Sequence, residues 1–301
     1  TLLPQGQRLP KGELRIVAEC TATRVRDTAE GAEVEAELWK GRKIAVKAGV
    51  VVVSAGPVAS SWLLMQSRLG GKRAGKGMSF NMGSPITAHF AEAQDSYDGL
   101  QITHYVRPPA GSGFMLESWF NPVVSQALNM PGWLDNHARN IRRFDHLAAA
   151  GPPIGTEATG EVRRARHGGP DIHFEPRREE MRRLIKALEL VGEIYLNAGA
   201  TCVMPNTFRY HEWTSVEQLS ELGRYVTDAT DLAIGTGHPQ GGNALGEDPA
   251  SSVVGPDFRV HGTEHVFACD ASIFPSSVTV NPQLTVMALA DYAAPSVLKA
   301  I

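Results

Sequence analysis

The chain has 301 residues, 43% of them hydrophobic and 20% charged, with a formal net charge of -3. That is enough for one large or two modest domains with a real core, and it excludes disordered and collagen-like chains. No Lys/Arg cluster interleaved with aromatics gives a nucleic-acid footprint, so small, uncharged partners are expected.

The four-valine run Val50 to Val53 is far too short to span a bilayer, and no membrane span is expected. Cys20, Cys202 and Cys269 are odd in number and far apart, which excludes a CxxC metal or redox motif and leaves no metal site. They fit a reducing, cytoplasmic compartment.

In chain order, residues 13 to 53 predict short strands: Glu13 to Cys20, a polar piece Arg24 to Gly31, the alternating Ala32 to Leu38, and Lys43 to Val53. Ser54-Ala55-Gly56-Pro57 closes this run, and Val58 to Ser67 carries Trp62, Leu63 and Met65 at helical spacing. Strand, glycine turn and helix in that order form the backbone of a nucleotide-binding α/β layer. Residues 70 to 176 predict an antiparallel sheet, with strands near Ser84 to Phe90, Leu100 to Val106 and Phe114 to Phe120.

From Pro176 to Gly199 the stripe Met181, Leu184, Ile185, Leu188, Val191 and Tyr195 predicts a helix that Gly199 terminates. Thr214-Ser215-Val216-Glu217 reads as a capping box opening a shorter helix.

The chemistry is densest near the C-terminus. In Gly235-Thr236-Gly237-His238-Pro239, Pro239 biases His238 toward extended backbone and the glycines let the loop approach a flat group, so the imidazole is presented as a proton acceptor. A plain turn histidine satisfies the same residues. In Val266 to Asp270 a short buried strand ends in a carboxylate beside Ala271, a common way to hold a ribityl or ribose hydroxyl; a turn aspartate is the alternative.

Asn281 and Pro282 suit the N-cap and first position of a helix running to Ala294. Its amino end, at Pro282 and Gln283, attracts negative charge, although a capped surface helix needs no more than this. In Met115-Leu116-Glu117-Ser118-Trp119, strand alternation puts Glu117 between two large apolar groups, where desolvation raises a carboxyl pKa toward that of a general base. An edge-strand glutamate pointing to water is the competing reading.

Gly237-His238-Pro239, Val260-His261-Gly262, Cys269-Asp270-Ala271-Ser272 and Val280-Asn281-Pro282-Gln283-Leu284-Thr285, in this order and spacing, resemble the C-terminal signature of the glucose-methanol-choline (GMC) flavoprotein oxidoreductases. Asn-Pro at 281–282, where many relatives carry a second histidine, is most similar to the cholesterol oxidase branch and related bacterial dehydrogenases, as is Leu116-Glu117-Ser118-Trp119.

The resemblance implies an α/β fold with FAD as cofactor. Residues 1–70 and 226–301 would contribute to an incomplete Rossmann-like FAD-binding domain, and 71–225 would form a substrate domain of antiparallel sheet and helices. Ala22, Ala55, Gly56, Asp270, Ala271, Pro282 and Gln283 would contact FAD. An alcohol would lose its proton to His238 or Glu117 and its hydride to flavin N5, oriented by Asn281, with oxygen or another acceptor taking the electrons.

The family's GxGxxG fingerprint is nowhere in the chain. A fragment is therefore expected, with an N-terminal half or partner chain supplying the phosphate loop. The alternatives are a non-catalytic interaction module that binds no flavin, and a hydrolase or lyase, which the lack of a GxSxG elbow disfavours. Trp119, Phe120, Trp133 and Tyr105 line a pocket or, more commonly for such residues, fill a core.

Overall fold

The computed structural model describes residues 14–100, 102–119 and 122–301. β1 (Cys20–Thr28), β2 (Gly31–Leu38) and β3 (Arg42–Ala48) make a three-stranded antiparallel sheet. The first strand begins at Cys20, residues 14–18 having no regular structure, and the polar piece after Arg24 is its continuation; Glu13 lies outside the described residues. Gly31 is required at the turn, because a Cβ there would sit 2.4 Å from the Ala48 carbonyl oxygen.

Gly49 lies in the break that splits the stretch predicted from Lys43 to Val53, and the chain resumes as β4 (Val51–Val53). Gly56, at a φ of 83°, then turns it into α1 (Pro57–Ser67), which has Pro57 in its first turn.

β5 (Lys76–Met82) is absent from the sequence expectation. Its residues from Met78 onward are all buried, and polar Ser79 and Asn81 among them hide the strand from any apolar pattern. There follow β6 (Ile86–His89), β7 (Tyr105–Val106), β8 (Leu116–Trp119), α2 (Val123–Asn129), α3 (Asp135–Arg142), β9 (Leu147–Gly151), β10 (Ile154–Gly155), β11 (Gly160–Arg164) and β12 (Pro170–His173). Then come α4 (Arg178–Asn197), β13 (Cys202–Pro205), α5 (Val216–Leu219), α6 (Leu222–Tyr225), β14 (Pro239–Gly242), β15 (Val266–Ala268) and α7 (Gln283–Leu298).

β13, β6, β9, β8 and β7 form a five-stranded sheet in that order, antiparallel throughout. β5 centres a second antiparallel sheet with β10, β11 and β14, and β12 extends it beyond β11. β15 pairs in parallel with β4, so the strand–turn–helix at Val51–Ser67 and the strand ending before Asp270 lie side by side. This mixed α/β architecture agrees with the class expected. Buried side chains gather mainly in two clusters, one from Val25 to Ala74 and Val253 to Ala293, the other from Met82 to Leu232.

α4 buries Leu184, Ala187, Leu188 and Val191 along one stripe and ends, as its sequence requires, before Gly199 at a φ of 96°. The box opening α5 is centred on Ser215 and closed by Gln218 rather than Glu217, one residue later than expected. α7 is unlike α4. Apolar on every side, it buries only Ala293 and leaves Leu284, Met287, Tyr292 and Leu298 exposed. Among the described residues no helix is long and apolar enough to cross a membrane.

Candidate active site

β5 holds one side of the site. Two backbone hydrogen bonds, each 2.9 Å, join Gly83 to Gly235, and a Cβ at Gly83 would come within 2.6 Å of the Pro152 carbonyl oxygen. Thr236 Oγ1 donates to the Asn81 carbonyl (2.8 Å) and accepts from the His238 backbone N–H (2.9 Å). Pro239 enters β14 opposite Phe80. The loop is thus fastened along β5, with His238 half-buried at its end. Burial lowers the imidazole pKa, since the charged form loses hydration, and leaves a neutral ring able to accept a proton.

Asn81 holds the second loop. Its amide donates to the Val280 carbonyl (2.6 Å) and accepts from the Ser277 hydroxyl (2.7 Å), while Gln240 Oε1 accepts from the Val278 N–H (2.9 Å). Sequence reasoning did not single out Asn81, Gln240 or Ser277; amides at buried positions beside two glycine-rich turns are the signal that could have found them.

These ties deliver Asn281 to the start of α7. The helix proper begins at Gln283 with Pro282 as its cap, one residue later than an Asn281 cap predicts, and no side chain caps it. Asn281 is otherwise engaged: its side chain lies against the Glu117 carboxyl and acts to lower that group's pKa.

Glu117 sits on β8 between Gly151 of β9 and Tyr105 of β7, so its strand is internal rather than an edge. The side chain is buried, and Oε2 has no hydrogen-bond partner. Desolvation raises its pKa, opposed by the Asn281 amide. Gly151 clears room for the neighbouring Trp119, since a Cβ there would meet its ring at 2.8 Å. Glu117, Trp119, Asn81, Thr236 and His238 all line one cavity of about 330 Å³, which Asn281 reaches through its contact with Glu117.

The remaining candidates lie elsewhere. Ala55, Gly56, Asp270 and Ala271 meet at the carboxyl ends of β4 and β15, where ligands bind in parallel sheets. The Asp270 carboxylate is committed to the protein itself, accepting from Gly56 N–H (2.8 Å), Ser60 Oγ (2.5 Å) and Ser272 N–H (2.7 Å). Its observed part is a clamp across the two strand ends rather than an open acceptor. Ala22 is exposed on β1 opposite Ala36, away from the cavity. Tyr105 and Trp133 are exposed rather than core residues, and Phe120 lies outside the described residues.

Three features fit part of an FAD. No atom lies within 4 Å of where a Cβ on Gly56 would be, so the turn after β4 is open. The amino end of α7 carries neither a side-chain cap nor an acidic residue in its first turn. A buried, unpartnered carboxyl oxygen belongs to the cavity beside it.

Residues 156–290 match the GMC oxidoreductase family model. An uncharacterized GMC-type oxidoreductase of Mycobacterium tuberculosis is 29% identical over 252 residues, 83% of this chain and 40% of its own length. Another GMC-type oxidoreductase, from Sinorhizobium fredii, is 28% identical over 302 residues, 96% of this chain and 58% of its own. The chain thus spans between 40% and 58% of these two relatives. A solved formate oxidase of Aspergillus oryzae, studied for modification of its FAD, superimposes with a TM-score of 0.72 at 16% identity, covering 94% of this chain and 60% of that one. The GMC match disfavours a flavin-free interaction module.

Proposed function

We propose that this chain is the substrate-facing part of an FAD-dependent GMC-type oxidoreductase that oxidises an alcohol to the corresponding carbonyl compound. The observation that carries this reading is that the half-buried His238 imidazole and the buried Glu117 carboxyl line one cavity, with the Asn281 amide, at the amino end of α7, set against that carboxyl. Ala22, Ala55, Gly56, Asp270, Ala271, Pro282 and Gln283 are the residues toward which FAD would lie, with Asp270 shaping the turn at Gly56.

Bound flavin would supply the two-electron acceptor for the hydride leaving the alcohol carbon. The protein's share is positioning and proton transfer. His238 accepts the hydroxyl proton as the carbonyl forms, Glu117 is the alternative base, and Asn281 orients the hydroxyl while holding Glu117 in place. The unopposed N–H groups of α7 favour negative charge where it develops. The Asn281–Glu117 pair supports the likeness to the cholesterol oxidase branch. Residues 1–70 and 226–301 would form the FAD-binding part and 71–225 the substrate-binding part. An N-terminal half or partner chain would supply the phosphate loop.

Mixing the purified chain with FAD, alone and with the N-terminal half of a GMC relative, tests the reading. Flavin absorbance should be retained, and alcohols oxidised, only with both halves. In that enzyme His238→Ala should depress turnover about 10²–10⁴-fold, the usual share of a general base, with flavin content unchanged. Equal losses in flavin and turnover would make His238 structural.

A further inference from the structure

α2 and the loop after it turn their apolar side chains the wrong way for water. Of the residues Val123–Asn129 only Gln126 is buried, its amide 3.4 Å from the Thr87 hydroxyl. Val124 is 72% exposed, Leu128 82%, and in the following loop Trp133 is 71% and Leu134 86% exposed. A surface helix ordinarily shows the opposite arrangement, and a helix of seven residues draws little stability from its own backbone. His137 Nε2, 2.8 Å from the Ala127 carbonyl, fastens α3 to the end of α2, so the arrangement is held rather than frayed.

Part of this surface borders a second hollow of about 560 Å³, open to solvent on one side and lined by Ala127, Leu128, Met130, Trp133, Leu134 and Phe208 among others. It adjoins the cavity of Glu117 and His238. Asn129 lines both, and Ala233 of the second stands two residues before Gly235 of the first. The Asn129 amide donates back to the Ser125 carbonyl within its own helix (2.9 Å), so the shared wall is a side chain folded back on α2. Polar groups cluster around the first cavity and apolar groups dominate the second.

We propose that the second cavity is the tail chamber of the site and that the preferred substrates are alcohols carrying a long or bulky apolar body. The hydroxyl sits among Glu117, Asn281 and His238, and the hydrocarbon passes Asn129 to lie against Leu128, Trp133, Leu134 and Phe208. The substrate class rests on the alcohol-oxidising reading above; the apolar chamber rests on its own geometry. Each methylene moved from water onto these side chains should tighten binding about fourfold, the equivalent of ~0.8 kcal/mol.

Trp133 makes the test independent of turnover. Its fluorescence should be quenched by a dodecanol bearing a terminal bromine at a concentration at least tenfold lower than that needed for the three-carbon analogue. Trp133→Phe should remove most of the quenching. Leu128→Ser with Leu134→Ser, both in exposed positions that the fold does not need, should raise the half-saturating concentration of the long alcohol at least tenfold. Equal potency of the two alcohols, or quenching that survives in Trp133→Phe, would overturn the tail chamber. Tail binding without oxidation of any alcohol by the reconstituted enzyme would instead discard the oxidation reading and leave the chamber standing.

Discussion

Two buried carboxylates, Glu117 and Asp270, show how alike residues are put to different ends. Asp270 accepts hydrogen bonds from Gly56, Ser60 and Ser272 and staples the ends of two parallel strands to the start of a helix. Glu117 is equally hidden, yet one oxygen has no partner and the other contact is a single amide. A carboxylate surrounded by donors is held for the fold. One left short of donors in a cavity is costly to keep and available for chemistry.

The sharpest way to break this comparison is to neutralise Glu117. Glu117→Gln should lower alcohol oxidation in the reconstituted enzyme by about 10²-fold or more if the carboxyl takes the proton. Its thermal midpoint should stay level or rise, because the buried charge disappears. An unchanged rate would remove Glu117 from the mechanism.

Asp270→Ala should do the reverse, stranding the Gly56 and Ser272 N–H groups and the Ser60 hydroxyl. Unfolding in urea should then show a loss of roughly 3 kcal/mol, at about 1 kcal/mol or more for each stranded donor. A loss under 1 kcal/mol would mean that the staple is not what holds the strand ends.

Asn81→Ala should cost about 1–2 kcal/mol of stability through its two lost hydrogen bonds, and the turnover of the reconstituted enzyme should fall as well. Turnover that fell with no change in stability would place Asn81 in the chemistry instead of the scaffold.

The smallest effect is in the pH dependence of stability. Folding raises the Glu117 pKa, so its contribution is fully present below the ordinary carboxylate range and is lost as pH climbs through the raised value. The unfolding free energy of the wild type relative to Glu117→Gln should therefore decline as pH rises above the ordinary carboxylate range. A difference that stayed flat would mean the carboxyl is not desolvated.

How much of this was legible in the sequence follows from which interactions are local. α4 was readable because its buried stripe repeats every turn, and β4 with α1 because a valine run meets a glycine turn and a helical pattern. β5 was not, because burial of Ser79 and Asn81 depends on strands that arrive much later in the chain. In the site, His238, Glu117 and Asn281 stood out by motif and alternation. Asn81 and Ser277 did not, since the hydrogen bond joining them spans 196 positions. The helix start was misplaced for a related reason: a distant carboxyl recruits the amide that local rules would have spent as a cap.

The placement of Asn81 also bears on how the site endures thermal motion. Its backbone N–H meets the His238 carbonyl, its own carbonyl receives Thr236, and its side chain grips Val280 and Ser277. When β5 shifts, the His238 and Asn281 loops shift in common mode, so the spacing between imidazole and amide varies less than the position of either.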